Sequence, residues 1–300
     1  MTRLATVARD DSSWWARLRA LRLFRVFSDA TGLLGFICAM LIVGAAIFAP
    51  LIAPYPPGQI NVANRLAGPS SEHLLGTDQL GRDLLSRLIH GARVAMIVAL
   101  PSVLLGAVLG LVLGLIAGYY GGVIDNALLM LFDVVRSFPS LLFAIAIIAL
   151  TGPSLLMVII IMGVTRFPEY GRLIRAQTLK TKEEEFVTAS QALGCSTPRI
   201  LRKHLLPNVI APLFILAAMD IPVVITFEAG LSFLGLGVPP PTPSWGTILR
   251  EGYTYVRASP WLVTFGSLTL IVATLGFTFF AEALRDAFDV KIRGSSRNVG

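Results

Sequence analysis

Two uncharged apolar stretches constrain this chain more than any other feature. GLLGFICAMLIVGAAIFAPLIAPY (Gly32 to Tyr55) and VAMIVALPSVLLGAVLGLVLGLIAGYY (Val94 to Tyr120) contain no Asp, Glu, Lys or Arg. About 20 consecutive apolar residues suffice for a helix to cross the hydrocarbon core of a bilayer. With no water there, each backbone N–H and C=O must find its partner within the protein, which a helix provides. The whole chain is 55% hydrophobic and 14% charged, with its apolar residues in long blocks rather than in one-sided stripes. An all-α integral membrane protein is the expected fold class. Six spans are expected, near 31–53, 94–119, 128–151, 153–172, 209–232 and 260–282. The third is complicated by Asp133 and Arg136, which either lie in the span or in a lead-in helix that Pro139 separates from it. The charged lead-in before the first run and the length of that run suit a retained span better than a cleaved signal.

Charge sets the expected orientation. Nineteen of the 25 Lys and Arg fall in the segments before the first span, around Arg136, in 166–208 and in 285–300. By the positive-inside rule these segments are cytoplasmic, and so are both termini. The same rule accounts for the net charge of +7 without nucleic acid, for which no basic stripe interleaved with aromatics is present. The chain then divides into a cytoplasmic segment 1–30, a first span with its external segment 31–92, a transmembrane core 93–285 and a tail 286–300.

In the first external segment, GRDLLSRLIHGA places Leu84, Leu85, Leu88, Ile89 and Ala92 on one helical face and Arg82, Asp83, Arg87 and His90 elsewhere. This predicts an external amphipathic helix lying on the membrane surface. The second external segment, from GVPPPTPSWG onward, reads as rigid and proline-rich. Within the second span, Gly106, Gly110, Gly114 and Gly118 recur every four residues, a small-residue face for close helix packing. Passage of substrate along that face is the other reading.

A polar insert interrupts the apolar chain in loop 173–208. In EEEFVTASQALG, Phe186, Ala189 and Leu193 recur at helical spacing, and Glu183, Glu184 and Glu185 sit where a helix N-terminus favours anions. Gly194 ends this helix where positive φ is often needed. Thr197 then reads as an N-cap with Pro198 after it, opening a second helix that stops near Pro207. The insert is either a docking helix or a solvated loop.

Spacing within the insert carries a resemblance. Thr188-Ala189-Ser190, Gly194 and Leu206-Pro207 resemble the EAA signature of ABC-importer membrane subunits: E-A-A, three residues, G, nine residues, I, one residue, L-P. Thr188 stands for the glutamate, Ser190 for the second alanine and His204 for the isoleucine. LLGTDQLGRDLLSRLIHGAR (Leu74 to Arg93) and EAGLSFLGLGVPPPTPSWG (Glu228 to Gly246) resemble the C-type permeases of dipeptide and oligopeptide importers. The resemblance implies a type I ABC-importer permease fold in a bacterial inner membrane. It also implies a B-type permease as heterodimeric partner, two cytoplasmic ATP-binding subunits and an external substrate-binding protein. Glu185, Phe186, Thr188, Ala189, Ser190, Leu193, Gly194, Leu206 and Pro207 become the expected docking residues of a cytoplasmic coupling helix. No cofactor is expected in this chain: it has no G-x-x-x-x-G-K-[ST] loop, so ATP and Mg²⁺ are expected on the partners. Glutathione or nickel-chelate import by the same family stays open.

The remaining polar residues are ambiguous. Glu228, inside the fifth span, is either a pore or gate residue or one half of a structural pair near the outer end. Asp133 and Arg136 are spaced to pair with each other, and Arg166 and Glu169 to pair or snorkel near a span end. His73 and His90 fall outside and His204 inside, so they form no common metal site. Cys38 and Cys195 are too differently placed for a disulfide. A secondary transporter would show repeats and several buried charges. An intramembrane hydrolase would show H-E-x-x-H, G-x-S-x-G or paired intramembrane aspartates, none of which occurs.

Overall fold

The structure is a computed structural model that describes residues 29–288. It contains ten α-helices and no strand among the described residues, apart from one isolated bridge between Thr77 and Asp83. Helix α1 (Ala30–Ile52) buries Gly32, Gly35, Ala39, Ile42, Ala46 and Ala49, alternately three and four apart. That seam packs against α10 (Trp261–Phe288). A Cβ on Gly35 would lie 2.5 Å from the Phe280 nitrogen, and one on Gly276 would lie 2.6 Å from Cys38 Cβ. The two helices therefore run antiparallel in close contact, held by small residues that let their backbones approach.

Helix α2 (Leu84–Tyr120) is one unbroken rod of 37 residues, about 55 Å at 1.5 Å per residue. Asp83 caps it, accepting a 2.8 Å bond from the Ser86 N–H. This corrects the expected surface helix. GRDLLSRLIHGA is no separate amphipathic element: from Leu84 on it forms the first turns of the long helix, and Leu84, Leu88 and Ala92 pack into the core. The physical reason lies in Arg87, assigned to a solvent face by spacing alone. It is 2% exposed and ion-paired, so its charge is no obstacle to burial.

The glycine face does what close packing predicts. Added Cβ atoms on Gly106, Gly114 and Gly118 would meet the Gly163 oxygen at 3.1 Å, the Gly171 oxygen at 2.5 Å and Thr178 Cβ at 2.7 Å. These belong to α5 (Leu155–Lys182), and both series ascend together, so α2 and α5 are parallel neighbours. Parallel neighbours require the chain between them to return the length of the bundle. It does so through α3 (Gly122–Ser137) and α4 (Ser140–Thr151), bent by 79° at Phe138-Pro139. The third span is thus no straight helix over 128–151; the break falls at Pro139, the alternative the sequence left open. Asp133 and Arg136 do not pair with each other: Asp133 bonds Arg172 and Arg136 lies 3.8 Å from Glu169. Side chains on α5 offered both a counter-charge, which spacing within α3 alone cannot reveal.

Helix α6 (Glu185–Ala192) and the short α7 (Thr197–Ile200) follow, then a π-helical turn Leu201–Leu205 that feeds α8 (Leu206–Phe233). Two expectations fail here. Ser196, not Thr197, is the N-cap residue, and the helix does not stop at Pro207 but runs on from Thr197 to Phe233. Pro207 has no N–H for the Lys203 carbonyl. The widened turn, in which the Leu206 N–H reaches Leu201 O, carries the chain past it. Helix α9 (Trp245–Thr254), capped at Ser244 with reciprocal bonds to Thr247, lies in the segment read as proline-rich loop. Four helical stretches are long and apolar enough to cross a bilayer, namely α1, α2, Thr197–Phe233 and α10, and the bent pair α3–α4 would make a fifth. Arg166, Glu169 and Arg172 interrupt the apolar run of α5.

Candidate docking and transport surfaces

The C-terminal ends of α2 and α5 and the α6–α7 insert form one end of the bundle. Lys182 Nζ donates a 2.6 Å bond to the Tyr119 carbonyl and stands over the Tyr119 ring. Val187, Ile200 and Leu205 are fully buried here, packed against Leu115 and Tyr119 of α2. Val187 is the residue the sequence reading missed. It is the one buried residue of α6, and the helical spacing of Phe186, Ala189 and Leu193 drew the apolar face to the other side.

With Val187 inward, the predicted docking face points outward. Phe186 and Leu193 are 44% and 84% exposed, and Glu185, Thr188, Ala189, Gly194 and Pro207 are exposed with them. Ser190 and Leu206 are half-buried. Ser190 Oγ donates to the Phe186 carbonyl at 2.7 Å and lies 3.4 Å from His204 Nε2. The helix is shorter than expected: Glu183 lies outside it, Glu184 is its N-cap and only Glu185 occupies the first turn. Gly194 (φ 74°) closes it in a Schellman arrangement, with its N–H on Gln191 O at 2.9 Å and the Cys195 N–H on Ser190 O at 3.1 Å. A short helix and its C-cap thus keep Phe186 and Leu193 largely in solvent, with the His204 ring 6.1 Å from that of Phe186.

The opposite end is tied by charge. Arg82 and Arg87 both reach Asp78 and Glu251, joining the loop before α2 to α9. Trp245 is buried against Gly91, where an added Cβ would come within 2.6 Å of the indole. His73 Nδ1 lies 3.0 Å from Asp83 Oδ1 beside a polar cavity of about 90 Å³. That volume is well below the roughly 300 Å³ at which ligand pockets begin.

Between the two ends, Arg166 on α5 pairs with Asp220 on α8, its Nε 3.1 Å from Oδ2, and its Nη2 lies 2.8 Å from Glu169 Oε2. Asp220 was not singled out in the sequence, because its partner stands 54 residues away. Glu228 is 1% exposed and accepts from Ser232 Oγ at 2.6 Å, with no cation beside it among the described residues. Ser232 Oγ in turn accepts from the Val238 N–H, so Glu228 anchors the turn leaving α8. No group of three or more His, Cys, Asp or Glu is arranged to hold a metal among the described residues.

Comparison with known proteins accords with this architecture. Residues 110–294 match the model of the binding-protein-dependent transport system inner membrane component. Residues 13–69 match the N-terminal transmembrane domain of oligopeptide transport permease C. The dipeptide transport system permease of Alkalihalophilus pseudofirmus is 40% identical over 83% of this chain and 82% of its own. The oligopeptide transport system permease of Bacillus subtilis is 35% identical over 90% and 89%. A glutathione transport system permease of Escherichia coli is 38% identical over 85% and 84%. Among solved structures, an inward-facing methionine ABC transporter chain superposes with a TM-score of 0.53 at 21% identity, over 67% of this chain and 95% of that one. Long apolar helices, a family model matched over residues 110–294 and relatives matched over more than four-fifths of both chains converge: this chain belongs to the family of binding-protein-dependent transport system inner membrane components.

Proposed function

We propose that this chain is the membrane-spanning permease subunit of an ATP-driven, binding-protein-dependent importer of short peptides. It crosses the bilayer six times, through α1, α2, the bent pair α3–α4, α5, α8 and α10, with both termini in the cytoplasm. A second permease completes the pore, two ATP-binding subunits dock on the cytoplasmic side, and a substrate-binding protein delivers peptide outside. ATP and Mg²⁺ sit on the docked subunits. The peptide class is supported by relatives named as dipeptide, oligopeptide and glutathione permeases.

The observation that carries the reading is the Phe186–Leu193 pair held in solvent on α6. In the proposed cycle this pair inserts into a groove on an ATP-binding subunit. Movement of that groove displaces α6, and Val187 passes the displacement to Leu115 and Tyr119 of α2 and to the foot of α8. Because α2 and the α7–α8 rod each exceed the thickness of the hydrocarbon core, a tilt at the foot reaches the far side. Two packings of one bundle, biased by nucleotide on the partners, then alternate access to the pore.

The test is reconstitution of the assembled complex in proteoliposomes with a labelled dipeptide inside or outside. Uptake that requires ATP and the binding protein is expected. Uptake driven by an ion gradient with no ATPase present would overturn the reading.

A further inference from the structure

Midway along α5 and α8, an ion-paired cluster coincides with two prolines. Arg166 lies two residues before Pro168, and Asp220 two residues before Pro222. Neither proline has an N–H to donate, so the carbonyls of Val164 and Ala218, four residues back, lack their helical donors. Freed carbonyls within a membrane bundle are tolerated where they are covered by protein or line a wet cavity. The cluster is also open on one side. Asp220 is buried, whereas the side chains of Arg166 and Glu169 keep 22% and 29% exposure, and Arg136 approaches Glu169 at 3.8 Å. Tyr170, fully buried beside them, adds a hydroxyl next to Asp220. A purely structural ion pair needs none of these additions. Ionisable groups within spans characteristically mark substrate paths.

We propose that Arg166, Glu169 and Asp220 form a subsite for the charged termini of a peptide in transit. The assignment rests on the peptide-import reading. A peptide is a zwitterion: its carboxylate takes the free Nη of the Arg166 fork, and its ammonium takes Glu169 together with the unbonded carbonyls. Each charge entering the bundle thereby replaces a water-exposed partner with a protein one, and the cluster's own pairs exchange rather than break. A guanidinium suits this because it serves Asp220 and an incoming carboxylate at once, which an ammonium cannot do with the same geometry.

The decisive quantity is peptide imported per ATP hydrolysed, measured on the assembled complex in proteoliposomes with labelled dialanine. Arg166→Lys keeps a positive charge opposite Asp220 but loses the fork. Glu169→Gln, at a half-exposed position, keeps the fold and loses the ammonium's partner. Each variant is expected to assemble, to hydrolyse ATP within about twofold of wild type, and to import about tenfold less peptide per ATP. An unchanged ratio in both variants, or a parallel fall in import and hydrolysis, would overturn the subsite and leave peptide import standing. A wild-type complex that moves no dipeptide would overturn the peptide reading and the subsite with it.

Discussion

The indole Nε1 of Trp245 donates a 2.9 Å hydrogen bond to the carbonyl of Leu88, across 157 residues of chain. This bond fastens α9 to the first turns of α2 and closes the end of the bundle remote from α6. Trp245→Phe retains most of the buried area and loses the bond, at an expected cost of about 1 kcal/mol. Trp245→Ala leaves a cavity, at about 3–5 kcal/mol. Thermal unfolding in detergent should rank wild type, Phe and Ala in descending order; equal midpoints for Phe and Ala would show that α9 is not held by this side chain.

Glycine substitutions separate packing from helix propensity. Gly114→Ala places a methyl against the Gly171 carbonyl and should destabilise by about 1–3 kcal/mol. Gly44→Ala, in α1 with nothing within 4 Å, should be neutral or slightly stabilising because alanine favours helix. If both lowered the unfolding midpoint equally, parallel packing of α2 on α5 would be wrong.

Leu193 and Gly194 test docking from two directions. Leu193→Asp changes an exposed side chain, so the isolated subunit should melt as wild type does while ATP-binding subunits no longer co-purify. Gly194→Ala forces a Cβ into positive φ, at about 1 kcal/mol, and should weaken co-purification by loosening the end of α6. Retention of the ATP-binding subunits by Leu193→Asp would move the docking surface elsewhere.

Two ion pairs with similar geometry should differ sharply in worth. Arg87→Ala removes a 2%-exposed cation and strands the buried Asp78 with Arg82 as its remaining partner, an expected loss of about 3–5 kcal/mol. Arg172→Ala opens a solvent-exposed pair with Asp133 and should cost no more than about 1 kcal/mol, less at high salt. Unfolding midpoints at low and high salt check both.

Much of the chain was legible one segment at a time. Apolar runs marked α1, α2 and α10; the four-residue glycine repeat marked the face that meets α5; Pro139 marked the bend; and Gly194 marked the end of α6. Each signal acts over a few residues, through desolvation of a backbone, the absence of a Cβ or a fixed φ. Periodicity also found Phe186 and Leu193 on one face, yet could not say that this face points to solvent.

What local pattern could not supply was the choice of partner. Arg87 reads as a surface charge until Asp78 and Glu251 surround it, and Asp133 and Arg136 read as a pair until α5 claims each separately. Asp220 means little without Arg166, Val187 little without Ile200 and Leu205, and Trp245 little without the groove at Gly91. Spans follow from the amino acids alone because transfer from water to lipid is a property of each stretch. Partners follow from assembly, because whether a charge or an apolar side chain is stable where it stands depends on which distant groups the packed helices bring beside it.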